Sequence, residues 1–156
     1  MGDESMTVDR IEPDDALLAC TTLEVIDHID VHLLRTDARR SPQQWAREIL
    51  ENVSATRALS LRAGWTLLGI KLQYGDRDAV AGWSVAHDDA EYIRLQSDSF
   101  TGLTGELVTR VTGEGVVFAT FVRVDGAVAR FLWDRALAAH LMIVATLLAE
   151  AGERAS

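Results

Sequence analysis

The stretch Leu132–Ala151, LWDRALAAHLMIVATLLAEA, predicts the helix around which the rest of the chain is arranged. At about 100° per residue, its large apolar side chains fall on one side of the helix, with His140 near the middle of that side. The apolar residues on this side are Trp133, Leu137, Leu141, Val144, Leu147 and Leu148. Because most helical stability in proteins comes from the packing of such a side, this helix must lie against another apolar surface.

The segment before this helix predicts the strands that supply that surface. Residues 25–34 alternate in a way that predicts a half-buried first strand, and about five more strands follow later in the chain. Turn residues at Gly113–Gly115 and Asp125-Gly126 predict hairpins, so neighbouring strands should run antiparallel. We expect the later strands at Val80–Val85, Glu91–Ser97, Leu107–Thr112, Val116–Val124 and Ala127–Phe131.

Two short helices are predicted between the first strand and the rest of the sheet. Ser41 is a good N-cap, Pro42 suits the first helical position, and Gln44 can complete a capping box. The first helix then spans about Pro42–Asn52, and the second spans about Ala55–Leu68. This order of elements predicts an α+β fold in which a curved antiparallel sheet wraps around the long C-terminal helix.

The N-terminal end differs from the rest of the chain in its charge. Nine acidic residues and one arginine lie within residues 1–30 of a chain whose net charge is −9. We therefore expect residues 1–22 to form an acidic, partly disordered lead-in and residues 23–152 to form a single domain. An acidic protein without a basic stripe is a poor candidate for binding nucleic acid, and we predict no such partner.

Composition also bears on the compartment and the chemistry. No run of eighteen apolar residues occurs, and the N-terminus lacks the basic-then-apolar pattern of a signal peptide. We therefore expect no membrane span and a cytoplasmic location. The lone Cys20 cannot form an intrachain disulfide and is expected to be a small buried or half-buried hydrophobe. Phosphate-binding glycine motifs and common hydrolase motifs are absent, and we predict no cofactor.

Several short motifs gain meaning when they are taken in order. They are Asp27-His28-Ile29-Asp30 in the first strand, Ser41-Pro42 with Trp45 and Leu61-Arg62 in the two-helix unit, and Ala119-Thr120, Arg130, Trp133 and His140 in the last strands and helix. Together they resemble the helix-grip fold of the START-like (SRPBCC) superfamily, in particular a bacterial branch related to polyketide cyclases. The resemblance covers about Leu23–Ala151 and implies a START-like domain with a cavity. It implies no reaction, since this superfamily contains both enzymes and carriers.

His140 is the candidate catalytic residue. Burying an imidazole on an apolar helix face costs on the order of a few kcal/mol unless the ring finds hydrogen-bond partners. In a cavity, His140 could serve as an acid, a base or a hydrogen-bond donor to a ligand. The alternative is a core histidine that bonds a backbone carbonyl or a neighbouring side chain.

The other candidate ligand-binding residues come from the last two predicted strands and the last helix. Arg130, on the last predicted strand, could hold a ligand carboxylate if it points inward, although strand arginines also point to solvent. Thr120 could offer a hydroxyl to a ligand, or could simply suit a sheet as a β-branched residue. We expect the apolar walls of the cavity to come from Phe118, Leu137, Leu141 and Val144.

Residues 27–32 contain two histidines and two aspartates, a composition found at metal sites. On a strand, His28, Asp30 and His32 share one face, which we expect to be exposed, with successive side chains about 6.5–7 Å apart. This spacing is wide for one ion unless another segment contributes a ligand, so we predict no metal site. The run His87–Asp89 is interpreted as a polar turn.

These features favour the binding of a hydrophobic small molecule, such as a lipid or a polyketide-like ring, in a cavity between the sheet and the C-terminal helix. The alternative is an enzyme of the cyclase, dehydratase or isomerase type that uses His140 as acid or base. A third possibility is an interaction module in which the apolar helix or an edge strand forms a homodimer.

Overall fold

The computed structural model describes residues 8–155, and residues 1–7 of the predicted lead-in lie outside the described residues. The described residues form a single antiparallel, curved sheet with the strand order β1-β2-β6-β5-β4-β3, together with four helices. The predicted α+β class is confirmed, including the long C-terminal helix and the two short helices after a strand. The elements are β1 (Val8–Arg10), α1 (Asp15–Leu18), β2 (His28–Arg35), α2 (Pro42–Leu50), α3 (Ala55–Leu67), β3 (Ser84–Asp88), β4 (Tyr92–Asp98), β5 (Leu103–Thr112), β6 (Gly115–Val124) and α4 (Ala127–Ala155).

One face of the sheet, which we call the helix face, is covered by α2, α3 and α4. Leu34 of β2 and Phe118 of β6 lie on this face, in a core that also contains Trp45 of α2 and Leu148 of α4. Leu61 joins α3 to the same core. All five side chains are buried, so the main apolar core lies between the sheet and these helices.

The predicted start of α2 is confirmed in detail. The Gln44 backbone N–H donates to Ser41 Oγ at 3.1 Å, and the Ser41 backbone N–H donates to Gln44 Oε1 at 2.9 Å. This reciprocal capping box, with Pro42 at the first helical position, satisfies backbone groups that the helix itself leaves unpaired. The helix can therefore begin sharply at the edge of the core, and Trp45 in its first turn is completely buried.

The opposite face of the sheet is covered by the N-terminal segment. Leu17 and Cys20 pack on Val31 of β2 and Phe121 of β6. Cys20 is 4% exposed, as expected of a small buried hydrophobe, and burial raises the pKa of its thiol. The buried carboxylate of Glu106 accepts hydrogen bonds from the threonines that follow Cys20, which fastens this segment to β5. Part of the predicted lead-in thus forms regular, packed structure, including β1 and α1.

The structure corrects the prediction of a last strand at Ala127–Phe131. These residues form the first turns of α4. Gly126 has a φ of +95° and turns the chain directly from β6 into the helix, so Asp125-Gly126 does not form a hairpin. Arg130 N–H already donates to the Gly126 carbonyl at 3.1 Å, as in a helix. A strong turn dipeptide shows where the chain turns but not which element follows.

The strand predicted at Val80–Val85 is shifted towards the C-terminus. Val80 and Trp83 face each other across a tight turn, with a backbone hydrogen bond of 2.9 Å in each direction. Ala81 and Gly82, with φ values of +51° and +90°, form the corner of that turn. β3 therefore begins only at Ser84, and four strands, β3 to β6, follow α3 instead of about five.

Within the described residues, α4 is the helix whose length and apolar composition would allow it to cross a membrane. The core helix of a soluble protein passes the same test. The inner side of α4 packs in the core through Val144, Leu147 and Leu148. The expectation of no membrane span stays a prediction.

Candidate functional site

Asp30 lies at the centre of the candidate site. The register of β2 on β6 places Asp30 directly opposite Thr120. Because side chains alternate along a strand, His28 and His32 lie on the same face of β2 as Asp30. α4 crosses this face and brings His140 to the Asp30 carboxylate. We call Asp30, His28, His32 and His140 the Asp30 cluster.

Three histidines surround the carboxylate of Asp30. His28 Nε2 lies 2.7 Å from Oδ2, and His140 Nε2 lies 2.8 Å from the same oxygen. His32 Nδ1 lies 3.4 Å from the other oxygen, Oδ1, which is longer than an ordinary hydrogen bond. The Asp30 side chain is 0% exposed, and the side chains of His28 and His140 are 13% and 18% exposed. The carboxylate is thus sealed from solvent by imidazole rings.

The Asp30 carboxyl group is held in its ionised form. Burial alone would raise the pKa of this group, but the side chains of His140, His28 and His32 outweigh burial and lower the pKa well below its usual range. An ionised carboxylate can only accept hydrogen bonds, so Nε2 of both His28 and His140 must carry a proton. In a neutral ring, Nδ1 is then the nitrogen that can accept a proton.

Trp133 forms one wall of the Asp30 cluster. Its ring centroid lies 5.1 Å from that of His28 and 5.2 Å from that of His140. Trp133 is only 5% exposed and belongs to a small buried cluster with Val122 of β6. An indole packed against both imidazoles limits their movement and keeps water from that side of the carboxylate.

An inner cavity of about 60 Å³ adjoins the Asp30 cluster on the helix face of the sheet. Its polar side chains are Thr120 and His140, and the rest of the lining is apolar apart from the backbone. The apolar lining is Trp65, Leu68, Ile70, Trp83, Leu103, Gly105, Leu107, Val122 and Trp133. The volume is enough for a few water molecules or for a small group of a ligand.

An outer groove of about 180 Å³ runs between α3 and α4. It shares four lining residues with the inner cavity, namely Trp65, Leu68, Trp133 and His140. The remaining residues of the groove come from the same two helices and are mostly apolar. His140 therefore lies on the wall that the surface groove and the inner cavity share, and its Nε2 contacts the Asp30 carboxylate.

Thr120 stands out on the wall of the inner cavity because its hydroxyl has no hydrogen-bond partner. Among the described residues, the buried side-chain atoms without a partner also include Asp30 Oδ1 and His32 Nδ1. Native proteins satisfy the large majority of such groups. Trp83, which also lines the cavity, has an unpartnered Nε1 as well. Four unsatisfied atoms around one cavity and one carboxylate mark this region as the place where a ligand atom would be most favourable.

A larger space of about 240 Å³ lies between α2, α3 and residues 74–82, away from the Asp30 cluster. Its charged groups already have partners. Glu51 pairs with Arg47 at 3.0 Å, and the Arg62 guanidinium lies 4.4 Å from the centre of the Tyr74 ring. The space lacks the unsatisfied buried groups that distinguish the inner cavity.

The predicted site residues fall into two groups in the structure. Thr120 and His140 line the inner cavity. The predicted apolar wall lies elsewhere, because Phe118 and Val144 are buried in the main core and Leu137 packs on the Trp133 cluster. Leu141 is half-buried and lines neither the inner cavity nor the outer groove.

The placement of Arg130 on a strand was wrong. Arg130 lies in the first turns of α4, and its side chain is 49% exposed. Its guanidinium lies 3.7 Å from a carboxylate oxygen of Asp27 and 4.0 Å from one of Asp134. The arginine therefore joins the start of α4 to the start of β2 at the surface, and it does not reach the inner cavity.

His140 was predicted from the sequence as a site residue, but its partner Asp30 was not. His28, Asp30 and His32 were also predicted to share one face, but that face was expected to be exposed. The structure buries the face and brings the ring nitrogens of His28 and His140 and a carboxylate oxygen of Asp30 within 4.8 Å of one another. Two features of the sequence could have indicated this contact. They are the polar residues of the first strand and His140 on the apolar side of the last helix, because a polar group buried in either place needs a hydrogen-bond partner.

Comparison of this chain with protein-family models, with curated proteins and with solved structures finds no match. The architecture is compatible with a helix-grip fold, an antiparallel sheet combined with a long C-terminal helix. What the chain does must be argued from the Asp30 cluster, the inner cavity and the outer groove themselves.

Proposed function

We propose that this protein binds a small, mainly apolar molecule with one polar group, in the space formed by the inner cavity and the outer groove. The observation that carries the proposal is the Thr120 hydroxyl, which is buried on a largely apolar wall without a partner. An unsatisfied buried hydroxyl costs about 1–3 kcal/mol, which a polar ligand atom would recover.

The sizes of the two spaces restrict the ligand. The inner cavity is about 60 Å³ and the outer groove about 180 Å³, both below the roughly 300–1,000 Å³ of pockets for drug-sized molecules. We infer that the polar group of the ligand enters the inner cavity beside Thr120 and His140, while its apolar part lies in the groove between α3 and α4. A lipid-sized ligand would require Trp65 and Leu68, which line both spaces, to move aside.

The order of elements supports placing the chain in the START-like superfamily, in which we propose that it belongs. The sheet, the long α4 and the two short helices after β2 follow the helix-grip order. In such a fold, a ligand would lie between the sheet and the C-terminal helix. The inner cavity has that location, since it is lined by β5, β6 and α4.

The test is native mass spectrometry of protein purified from its own host, followed by denaturing extraction of bound molecules. We expect a discrete adduct with the wild-type chain and a strongly reduced adduct with Thr120→Val. The matched control is Thr109→Val, because Thr109 is also buried in the sheet but does not line the cavity. An adduct that is equally strong in both variants would rule out Thr120 as the polar contact.

If mass spectrometry finds no adduct, ligand binding is tested by tryptophan fluorescence. Trp65, Trp83 and Trp133 line the inner cavity, so a ligand there should change tryptophan fluorescence. Apoprotein should then be titrated with small alcohols, ketones and carboxylic acids that carry short apolar tails. A chain that carries no adduct from its host and gives no saturable fluorescence change with any of these probes would contradict the proposal.

The second candidate is an enzyme that moves a proton on the bound molecule, and one observation favours it. The partner of His140 is a side chain and not a backbone carbonyl, since its Nε2 lies 2.8 Å from the buried Asp30 carboxylate, and the ring also lines the inner cavity. A carboxylate behind an imidazole fixes the orientation of the ring and stabilises its protonated form, which suits a general base. The substrate class would be a carbonyl compound that isomerises or cyclises by proton transfer.

This candidate is tested by isotope exchange once a ligand is known. The ligand is incubated with the protein in D₂O, and deuterium incorporation is followed by mass spectrometry. Wild-type protein should exchange a hydrogen next to the carbonyl, and His140→Gln should not, although it should still bind the ligand. If the wild-type protein binds the ligand but exchanges no hydrogen, the protein is a carrier and not an enzyme of this type.

A further inference from the structure

We propose that His28, Asp30 and His140 bind one divalent first-row transition-metal ion, such as Zn²⁺ or Fe²⁺. This inference is independent of the proposed small-molecule ligand, because it rests on the geometry of the Asp30 cluster alone. The proposed ligand atoms are Nε2 of His28, Oδ2 of Asp30 and Nε2 of His140. Metal binding would displace the proton from each Nε2, so that each ring binds in its neutral form with its proton on Nδ1. Two imidazoles and one carboxylate are a donor set that suits zinc and non-haem iron(II).

The ligand atoms are already close to the positions that an ion requires. All three lie within 4.8 Å of one another, and both histidine nitrogens lie within 2.8 Å of the same carboxylate oxygen. Ligands at about 2.1 Å from one ion are roughly 3.0–3.4 Å apart in octahedral or tetrahedral sites. The two imidazoles would move away from Oδ2 by about half an ångström and towards each other, which side-chain rotations can supply.

Among the residues that the structure describes, no lysine or arginine forms an ion pair with the Asp30 carboxylate. The Asp30 side chain is 0% exposed, and within residues 8–155 its ion pairs are with His28, His32 and His140. The other buried carboxylate among the described residues, that of Glu106, has the Arg94 guanidinium at 3.9 Å. A buried carboxylate surrounded only by imidazoles is the environment that a cation stabilises most.

The surroundings of the three ligands match the needs of a metal site. His32 Nδ1 lies 3.4 Å from Oδ1, the carboxylate oxygen that the ion would leave free. Both atoms are buried without a hydrogen-bond partner, and a small shift would join them. Such a second partner fixes the orientation of a ligating carboxylate. Trp133 packs against the rings of both ligating histidines and limits their movement in the same way.

Three protein ligands leave at least one coordination position open. Thr120 lies directly across from Asp30 in the sheet, and its unpartnered hydroxyl lines the inner cavity together with His140. A water molecule or a polar ligand atom on the ion could therefore hydrogen-bond to Thr120. The arrangement is that of a metal site open to an adjoining cavity, in which the ion would polarise or bind the polar group of a small molecule.

The test uses the full-length chain without a histidine tag, stripped with a chelator and dialysed. Zn²⁺ is titrated in by calorimetry, and Co²⁺ is followed by its visible ligand-field bands. We expect one equivalent of each ion to bind the wild-type chain. His28→Ala and His140→Ala should each weaken binding more than about 100-fold, and His32→Ala should weaken it about 10–100-fold as an outer partner.

The matched control is His87→Ala, since His87 also lies 2.7 Å from an aspartate oxygen but on the surface. It should bind Zn²⁺ and Co²⁺ like the wild-type chain. Circular dichroism and thermal unfolding of each metal-free variant show which variants are folded. If the His28 and His140 variants do not fold, the wild-type chain still decides the question by NMR of its histidine ring nitrogens, where Zn²⁺ should shift Nε2 of His28 and His140 and leave His87 unchanged.

Two results would overturn the proposal. One is a folded wild-type chain that binds neither Zn²⁺ nor Co²⁺ at millimolar concentration. The other is binding that persists in His140→Ala or that, by NMR, shifts His87 instead of the cluster. In either case the Asp30 cluster would be a hydrogen-bonded network without an ion.

Discussion

The chain contains two His-x-Asp triplets, His28-Ile29-Asp30 and His87-Asp88-Asp89, that share one local geometry and have opposite surroundings. In each, the histidine Nε2 lies 2.7 Å from Oδ2 of the aspartate two residues later. Asp30 is 0% exposed in its side chain, whereas Asp89 is 46% exposed. The same spacing therefore gives a buried cluster in one place and a surface contact in the other.

The difference comes from the position of each strand in the sheet. β2 lies between β1 and β6 and is crossed by α4, while β3 is the last strand at the other edge. Asp30 consequently meets a histidine that is 110 residues away in the chain. Asp89 instead accepts hydrogen bonds from the backbone N–H groups of Glu91 and Tyr92 in its own turn. Tertiary packing, and not the triplet itself, decides whether the pair can form a site.

The largest expected difference between the two triplets is in the free energy of unfolding that is lost when the aspartate is replaced by alanine. Asp30→Ala should lower the free energy of unfolding by about 3–5 kcal/mol, because it leaves the buried His32 and the half-buried His28 and His140 without the charge they pack around. Asp89→Ala should leave the unfolding midpoint nearly unchanged, since its partners can be solvated. Chemical denaturation of both variants measures the difference. Equal loss in the two variants would show that burial does not separate the two triplets.

Replacing a histidine by alanine should also destabilise the Asp30 cluster more than the surface triplet, but by a smaller amount. His140→Ala removes a hydrogen bond to a buried charge and should cost about 1.5–3 kcal/mol of unfolding free energy. His87→Ala should have a much smaller effect, because the His87 side chain is 35% exposed and mainly stacks on Tyr92. Thermal and chemical unfolding of the two variants make the comparison. A more destabilising His87→Ala would reverse the ranking of the two triplets.

Replacing Thr120 should have a smaller effect on the free energy of unfolding, and that effect should be stabilising. In protein without metal or ligand, Thr120→Val removes a buried hydroxyl that has no partner and keeps the β-branched shape, so it should stabilise the fold by up to about 1 kcal/mol. The measurement is chemical denaturation of metal-free, ligand-free protein. Clear destabilisation would mean that the hydroxyl has a partner in solution, and its role at the cavity would have to be reconsidered.

The smallest effect concerns the titration of Asp89. Backbone hydrogen bonds from Tyr92 and Glu91, and then the His87 side chain, lower the pKa of this carboxyl group. A lowered pKa in the folded state favours folding above the unfolded pKa of about 3.9, and this contribution disappears as the pH falls through the folded pKa. NMR titration of the carboxyl carbon should show that most of the lowering survives in His87→Ala. A return to the ordinary value would assign the shift to His87 instead.

The sequence was informative where local rules decide structure. The capping box at Ser41 follows from short-range physics, and the α+β class follows from the order of elements. The turn at Asp125-Gly126 was found, but the element after it was wrong, because Ala127–Phe131 has no strong preference on its own. Because of that single error, Arg130 was predicted on a strand, whereas it lies on the surface of α4.

The site was harder to predict than the fold for a physical reason. His140 and Thr120 could be chosen because each is a polar residue in an apolar surrounding. Their relation to Asp30 depends on strand register and on the path of α4, neither of which the sequence gives. The face of β2 that carries Asp30 was taken for the polar, exposed side, and only the packing of α4 shows that it is the inner one.

The pairing of β2 with β6 also has a consequence for synthesis on the ribosome. β2 leaves the ribosome early, but its sheet partner begins only at Gly115, and His140 follows later still. A nascent chain that has emerged only through β5 has neither the strand nor the helix that encloses Asp30. Long-range contacts of this kind form late, so the growing chain must keep β2 soluble until its partners appear. The charged and imidazole side chains of β2, which define the site in the finished protein, protect this strand from aggregation while it waits.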